Sequence, residues 1–232
     1  MVEIDNAAAH SILEVNETKI MRAALAVFVK TPDLSPLKTR LAAGVGEAIA
    51  LEFYHLSLKA VETAAQNADV KSYWAVAEEE GLNNPLWSAF ETLHTGEGGL
   101  GERQHHIYET LLEKHARVIL IGADAPQISP KIIEDAITAL DAHEFVIGPA
   151  YDGGYYLFGG RADVSEHIWT SMRWSSDMTR SEFENALPSK AFQLTFLTDV
   201  DEEKDLQVMS NEMPENISQQ QQNLIDWIRD KT

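Results

Sequence analysis

The runs AALAVFV (Ala23–Val29) and RVILIG (Arg117–Gly122) constrain the fold most, because each is apolar without a break. A strand with one face in water alternates apolar and polar residues. A strand covered on both faces stays apolar throughout, as in the parallel sheets of α/β proteins. Segments of helical periodicity lie between such runs: Leu41 to about Thr63, with Leu51, Tyr54, Leu58 and Val61 on one face, then Glu102 to His115, then Pro130 to Leu140. Val70–Val76, Phe145–Gly148, Tyr155–Phe158 and Ala191–Leu197 read as further strands. Asn83-Asn84-Pro85 opens a short helix carrying Trp87 and Phe90, which the glycine-rich Thr95–Gly101 ends. This alternation predicts one α/β domain with a mainly parallel sheet between helical layers and ligands bound beyond the carboxyl ends of the strands.

Charge narrows the partners. The 232 residues carry 37 Asp and Glu against 18 Lys and Arg, a formal net charge of -19. Such a field repels DNA, RNA and anionic lipid, so a nucleic-acid partner is not expected. A small phosphate ligand is compatible with it, because local cations and backbone amides dominate within a Debye length of about 8 Å. There are no cysteines, which excludes disulfides and thiolate metal sites and suits a reducing cytoplasm. Any metal must be held by oxygen or imidazole. No apolar run approaches a membrane span, and the acidic, mixed N-terminus lacks a signal peptide's basic start, so a cytoplasmic location is expected. Residues 1–22 read as an N-terminal arm, 23–210 as the domain, and 211–232 as a tail with a glutamine run and an amphipathic helix.

Against that background the positive charges stand out by position. Lys30, Lys38 and Arg40 flank Thr39 between the first strand and the first helix. Backbone N–H groups at a helix start face an anion, Arg grips a diphosphate in a bidentate way and Lys adds a point charge. The bland alternative is a solvated helix start. Gly96–Gln104 combines close-approach glycines, Gly101 among them, with Arg103, and reads equally as a ligand loop or a mobile connection. Asp124 follows the buried strand ending near Ile121, where a carboxylate serves either a hard cation such as Mg²⁺ or Mn²⁺ or a turn. Asp152-Gly153 is a hairpin signal at another strand end. Asp199 and Asp201 alternate along an extended segment and so are expected to face opposite ways, one sharing a metal with Asp124 and the other capping the helix that begins near Glu202. Trp174-Ser175-Ser176 presents an aromatic beside hydroxyls, suited to stacking on a sugar or base and equally to core packing. His105 and His106 are neighbours on a helix and point apart, which makes them surface or packing residues.

Taken in order, Lys30-x-Pro32 with Lys38-Thr39-Arg40-Leu41, Leu100-Gly101-Glu102-Arg103, Gly122-x-Asp124-x-Pro126, Gly148-Pro149-Ala150-x-Asp152-Gly153-Gly154-Tyr155-Tyr156, and Asp199-Val200-Asp201 with Asp205-Leu206 resemble a bacterial family of GT-A-like transferases related to the nucleotidyltransferases of molybdenum-cofactor and coenzyme F420 assembly. The resemblance implies a GT-A-like, Rossmann-related three-layer sandwich that transfers a glycosyl group from a nucleotide-diphosphate sugar to a small-molecule acceptor with Mg²⁺ or Mn²⁺. It implies alternatively a nucleotidyltransferase releasing pyrophosphate, or a non-catalytic nucleotide-binding module. By position it puts Lys30, Lys38, Thr39, Arg40, Gly101 and Arg103 on the phosphates and Asp124 and Asp201 on the metal. Asp152 and Lys38 would be catalytic, with Gly153, Gly154, Tyr155, Trp174 and Ser175 near the acceptor or sugar.

Overall fold

The computed structural model describes residues 23–231. The expected arm, residues 1–22, lies outside the described residues. Seven strands form one sheet: β1 Ala23–Val29, β2 Lys71–Val76, β3 Glu91–His94, β4 Arg117–Gly122, β5 Phe145–Pro149, β6 Tyr155–Gly160 and β7 Phe192–Gln193. Their order is β3-β2-β1-β4-β6-β5-β7. β1 pairs in parallel with β2 and β4, and β2 with β3, while β6 runs antiparallel between β4 and β5.

The helices are α1 Thr39–Val45, α2 Glu47–Asn67, α3 Leu100–Leu112, α4 Pro130–Ala142, α5 Glu166–Thr170, α6 Thr179–Ala186, α7 Glu203–Asn211 and α8 Gln219–Lys231. Side chains of successive strand residues point to opposite faces. Leu25, Val27, Trp74, Ile119, Ile121 and Val146 therefore join Tyr54, Leu58 and Val61 of α2 and Ile133 and Leu140 of α4 in one core. Ala24, Ala26, Val118, Leu120, Phe145 and Phe158 join Ile107 and Tyr108 of α3, Trp169 of α5 and Phe183 of α6 in the other. The expected three layers are present.

Several elements differ from the sequence reading. The helix expected from Leu41 to Thr63 is two, because Gly46 turns the chain at φ 89°, in the left-handed region. Leu51 is exposed rather than buried, since it falls outside both the sheet-facing stripe and the flank that carries Phe53. A short 3₁₀ turn at Pro85–Trp87 buries Trp87, but Phe90 lies beyond it. β3 was not expected from the sequence, being short and largely polar. The strand expected over Ala191–Leu197 reduces to β7 and one bridge, Ala150 to Leu197.

α8 docks. Leu224 and Ile228 are buried with Leu41, Phe53, Val200, Leu206 and Met209 in a third cluster. The buried Gln221 side chain donates to Pro126 O at 2.9 Å and Ile128 O at 3.3 Å, satisfying carbonyls of the loop after β4. That loop carries Asp124.

Candidate functional site

β1, β2, β4 and β5 end on the same edge of the sheet, and there the loops enclose two adjoining cavities. One, of about 360 Å³, is mainly apolar, bounded by Phe28, Leu37, Tyr54, Leu100, Ile121 and Tyr156 among others. The other, of about 690 Å³, is polar and gathers Asp124, Asp152, Asp199 and Asp201 with Lys38 and Arg40. Lys30, Lys38, Gln104, Asp124 and Tyr155 border both.

Each acidic group has a local reason for its place. Asp152 sits in the tight β5–β6 connection, where its Oδ1 accepts the Gly154 N–H at 2.8 Å and Ala150 N–H donates to Gly154 O at 3.0 Å. Gly153 adopts φ 92°, and a Cβ there would lie 2.0 Å from Asp177 O, so the turn requires glycine. Asp199 and Asp201 lie in the irregular segment between β7 and α7, not in a strand, and the alternation expected of them does not hold. One carboxylate oxygen from each of Asp152, Asp199 and Asp201 falls within 4.8 Å of the others. The helix cap expected of this pair is made instead by Asp205, whose Oδ2 accepts the N–H of Glu202 at 2.8 Å and of Asp201 at 3.1 Å.

The cations are engaged by these carboxylates. Lys38, in the left-handed region at φ 45°, opens α1 and sends its side chain inward until it is only 5% exposed. Its Nζ donates to Val200 O at 2.7 Å and lies 3.0 Å from Asp124 Oδ1 and 3.9 Å from Asp199 Oδ1. Burial by itself would lower the Lys38 pKa, but Asp124, Asp199 and Asp201 hold it above its ordinary value. Burial, followed by the Asp124 charge, raises the Asp199 pKa to about 7 despite the nearby Lys38, with Asp201 and Asp152 adding to the rise. Asp199 Oδ1 is buried without a hydrogen-bond partner among the described residues. Arg40 is 64% exposed and pairs with Asp201.

Other expected residues also hold the walls of these cavities together: Arg103 borders the apolar one, Trp174 the polar one and Tyr155 both. Gly101 is the close-contact point of α3: a Cβ there would meet Trp169 O at 2.2 Å and Trp174 Nε1 at 2.5 Å. Trp174 donates from Nε1 to Trp169 O at 2.9 Å and packs edge-on to Tyr155. Arg103 ties two loops together, donating from Nη1 to Ala77 O after β2 and to Thr95 Oγ1 and from Nε to Gly98 O in the loop before α3. Tyr155 donates to Gln104 Oε1 at 2.7 Å, and burial raises its pKa well above the ordinary phenol range. Thr39, Gly154 and Ser175 line the polar cavity, Ser175 at φ 59°. His105 packs near Trp169, as expected of a packing residue.

Asp199 was not singled out as a member of the acidic cluster. Its signal was present, two residues before Asp201 and directly after the buried Thr198, but the assumption of a regular strand turned it away.

The buried Asp199 Oδ1 and three converging carboxylates are a donor set of hard oxygens, which fits Mg²⁺ or Mn²⁺.

Comparison with known proteins agrees with the architecture. The structure of a provisionally assigned nucleotide-diphospho-sugar transferase from Desulfovibrio desulfuricans G20 superposes with a TM-score of 0.74 at 24% identity, covering 89% of this chain and 97% of that one. The 4-diphosphocytidyl-2C-methyl-D-erythritol synthase of Anaerococcus prevotii DSM 20548 gives a TM-score of 0.54 at 9% identity, covering 84% of this chain and 96% of that one. A CMP:2-keto-3-deoxy-manno-octonic acid synthetase solved with CTP gives 0.51 at 12% identity, covering 83% and 100%. At these identities the likeness is one of fold. No curated protein matches the chain. A family model spans residues 58–176, just over half the chain, from the middle of α2 through the Asp124 and Asp152 loops to Ser176. The chain thus belongs to the bacterial family described as "Uncharacterized protein conserved in bacteria (DUF2064)".

Proposed function

We propose that the protein is a metal-dependent transferase that moves a glycosyl group from a nucleotide-diphosphate sugar to a small-molecule acceptor. The observation that carries this reading is the meeting of Asp152, Asp199 and Asp201 beside an apolar cavity at the carboxyl ends of the strands. In α/β sheets that edge is where ligands bind. An apolar cavity suits a nucleoside, and an acidic one can take a diphosphate only together with a cation. Asp152, Asp199 and Asp201 would hold Mg²⁺ or Mn²⁺, which supplies positive charge beside the diphosphate. Arg40, an exposed cation of the site, is free to swing from Asp201 to a phosphate, and Thr39 and Lys30 line the same path.

In this reading the acceptor hydroxyl attacks the anomeric carbon, the bond to the diphosphate breaks, and a nearby carboxylate takes the hydroxyl proton. Asp152, which would give the ion one oxygen only, is the candidate to take that proton on its other oxygen, since its turn holds it at the open side of the polar cavity. We count α8 with the domain, because it packs with α1, α2 and α7 in the third cluster and its Gln221 donates to Pro126 O in the loop that carries Asp124.

The same cavities fit a nucleotidyltransferase, in which an acceptor phosphate attacks a nucleoside triphosphate. Titration of nucleotides and nucleotide sugars with Mg²⁺ or Mn²⁺, followed by product analysis, separates these. Nucleoside diphosphate from a nucleotide sugar supports glycosyl transfer, and pyrophosphate from a triphosphate supports nucleotidyl transfer. Binding without either product across a broad acceptor panel points to a nucleotide-binding module. No binding with any divalent metal ends the transferase reading.

A further inference from the structure

We infer that the Lys38 ammonium is the resident counter-ion of the acidic site and that a divalent cation binds in competition with it, through the shared carboxylate of Asp199. This inference rests on the reading of Asp152, Asp199 and Asp201 as a cation site.

Asp199 belongs to two arrangements. One of its oxygens converges with those of Asp152 and Asp201, and its Oδ1 lies 3.9 Å from Lys38 Nζ, a charge contact too long for a hydrogen bond. The ammonium is instead bound by Asp124 Oδ1 at 3.0 Å and Val200 O at 2.7 Å, with the Phe53 ring centroid 5.8 Å away. A primary ammonium has three donors, and two of them are fixed by these contacts. The result is a buried positive charge facing Asp124 on one side and Asp199 on the other, within a chain of -19. Carboxylates this close cannot all stay ionised unless some cation offsets them. In the protein alone Lys38 fills that role inside the site, for Asp124 and Asp199, and Arg40 at its mouth, for Asp201.

Asp199 Oδ1 is buried and makes no hydrogen bond among the described residues, so of the two carboxylates facing Lys38 it is the one less held in place. A divalent cation offers it a stronger, shorter contact. When Asp199 turns to the ion, Lys38 keeps Asp124 and the Val200 carbonyl, and like-charge repulsion between ammonium and ion weakens ion binding. Asp124 is thereby a positioning residue that holds Lys38, outside the group of converging carboxylates.

Anchoring alone makes the opposite prediction. If Lys38 served only to position Asp199 and Asp201 through Val200 O, removing its charge would leave ion binding unchanged or impair it. Lys38→Gln separates the cases, because the amide can still donate to Val200 O but carries no charge. The test is calorimetric titration of the full chain with Mn²⁺ alone. The competition model expects Lys38→Gln to bind Mn²⁺ about tenfold more tightly than wild type, the scale of removing a neighbouring like charge from a divalent ion even with strong solvent screening. Equal or weaker binding by the variant, with binding intact in wild type, overturns the inference and leaves the cation site standing. No Mn²⁺ binding by either protein overturns both. A measurement on wild type stands in if the variant does not fold: on titration with diamagnetic Mg²⁺ the Lys38 ¹³Cε and ¹⁵Nζ resonances should shift as Asp199 leaves. Their constancy at saturation overturns the inference.

Discussion

Arg40 Nη1 lies 2.7 Å from Asp201 Oδ2 across the mouth of the polar cavity, and the guanidinium is 64% exposed while Lys38, two residues earlier, is 5% exposed. The two cations therefore differ in what they can do. Lys38 is fixed inside, whereas Arg40 can exchange its carboxylate for a phosphate at small cost, because exposed pairs are worth about 0–1 kcal/mol. Arg40→Ala should change folding stability by no more than that. Diphosphate affinity in the presence of Mn²⁺ should fall by roughly 1.5–3 kcal/mol, the range for hydrogen bonds to charged groups. Denaturant melts and calorimetric titration of the same variant check both halves. Unchanged diphosphate affinity would return Arg40 to a surface ion pair.

The turn that holds Asp152 has no room for a side chain. Gly153 is at φ 92° with Asp177 O lying 2.0 Å from any added Cβ, and its carbonyl accepts the Arg180 N–H at 2.9 Å from the start of α6. Gly153→Ala must shift either the turn or the Asp177 segment. The expected loss is about 1–3 kcal/mol, the scale of a strained backbone position, read from denaturant unfolding. A neutral substitution would show that the turn relaxes freely and that Asp152 is less firmly placed than its contacts indicate.

Asp199 gives the site a pH signature in the absence of metal. Its carboxyl is raised from 3.8 to about 7, chiefly by burial and then by Asp124, against the pull of Lys38. Across that window the unfolded chain has lost the proton while the folded chain keeps it. The folded state then binds more protons, so stability falls as pH rises from about 4 to 7 and levels off above. Thermal melts in EDTA should show this slope, and Asp199→Asn should flatten it. A slope that persists in the variant would assign it to other groups.

How much of this was legible depended on what kind of signal each feature leaves. Ala23–Val29 and Arg117–Gly122 were read with their observed bounds because burial on both faces leaves an unbroken apolar run. β3 leaves no such trace: Glu91–His94 is an edge strand, short and half-exposed, held by its pairing with β2. Leu51 was misplaced because periodicity locates a stripe but not its width, and α2 serves both the sheet and α8 through Tyr54 and Phe53. At the site, Asp124, Asp152, Lys38 and Arg40 stood out from their places at strand ends, and Asp201 only through the family resemblance. Their partners were not legible. Arg40 meets Asp201 and Lys38 meets Val200 O across more than 160 positions of chain, a separation on which local pattern is silent. Asp199 was lost to a rule for strands applied where the chain is irregular.

Tyr155 tests the line between packing and recognition. The sequence placed it near the acceptor, beside Gly153 and Gly154, yet its hydroxyl donates to Gln104 Oε1 at 2.7 Å and its ring stacks on Phe183 at 5.6 Å. Gln104 lies on α3 and Phe183 on α6, so the phenol braces the two helices while its ring borders both cavities. Tyr155→Phe keeps the ring contacts and removes only the hydroxyl, leaving the buried Gln104 oxygen without its donor. An unsatisfied buried acceptor costs about 1–3 kcal/mol, and unfolding stability should drop by that amount. Nucleotide affinity with Mn²⁺ should stay within about twofold of wild type, because the hydroxyl removed is already engaged by Gln104. A variant with normal stability and much weaker ligand binding would reverse the assignment and return the Tyr155 hydroxyl to the site.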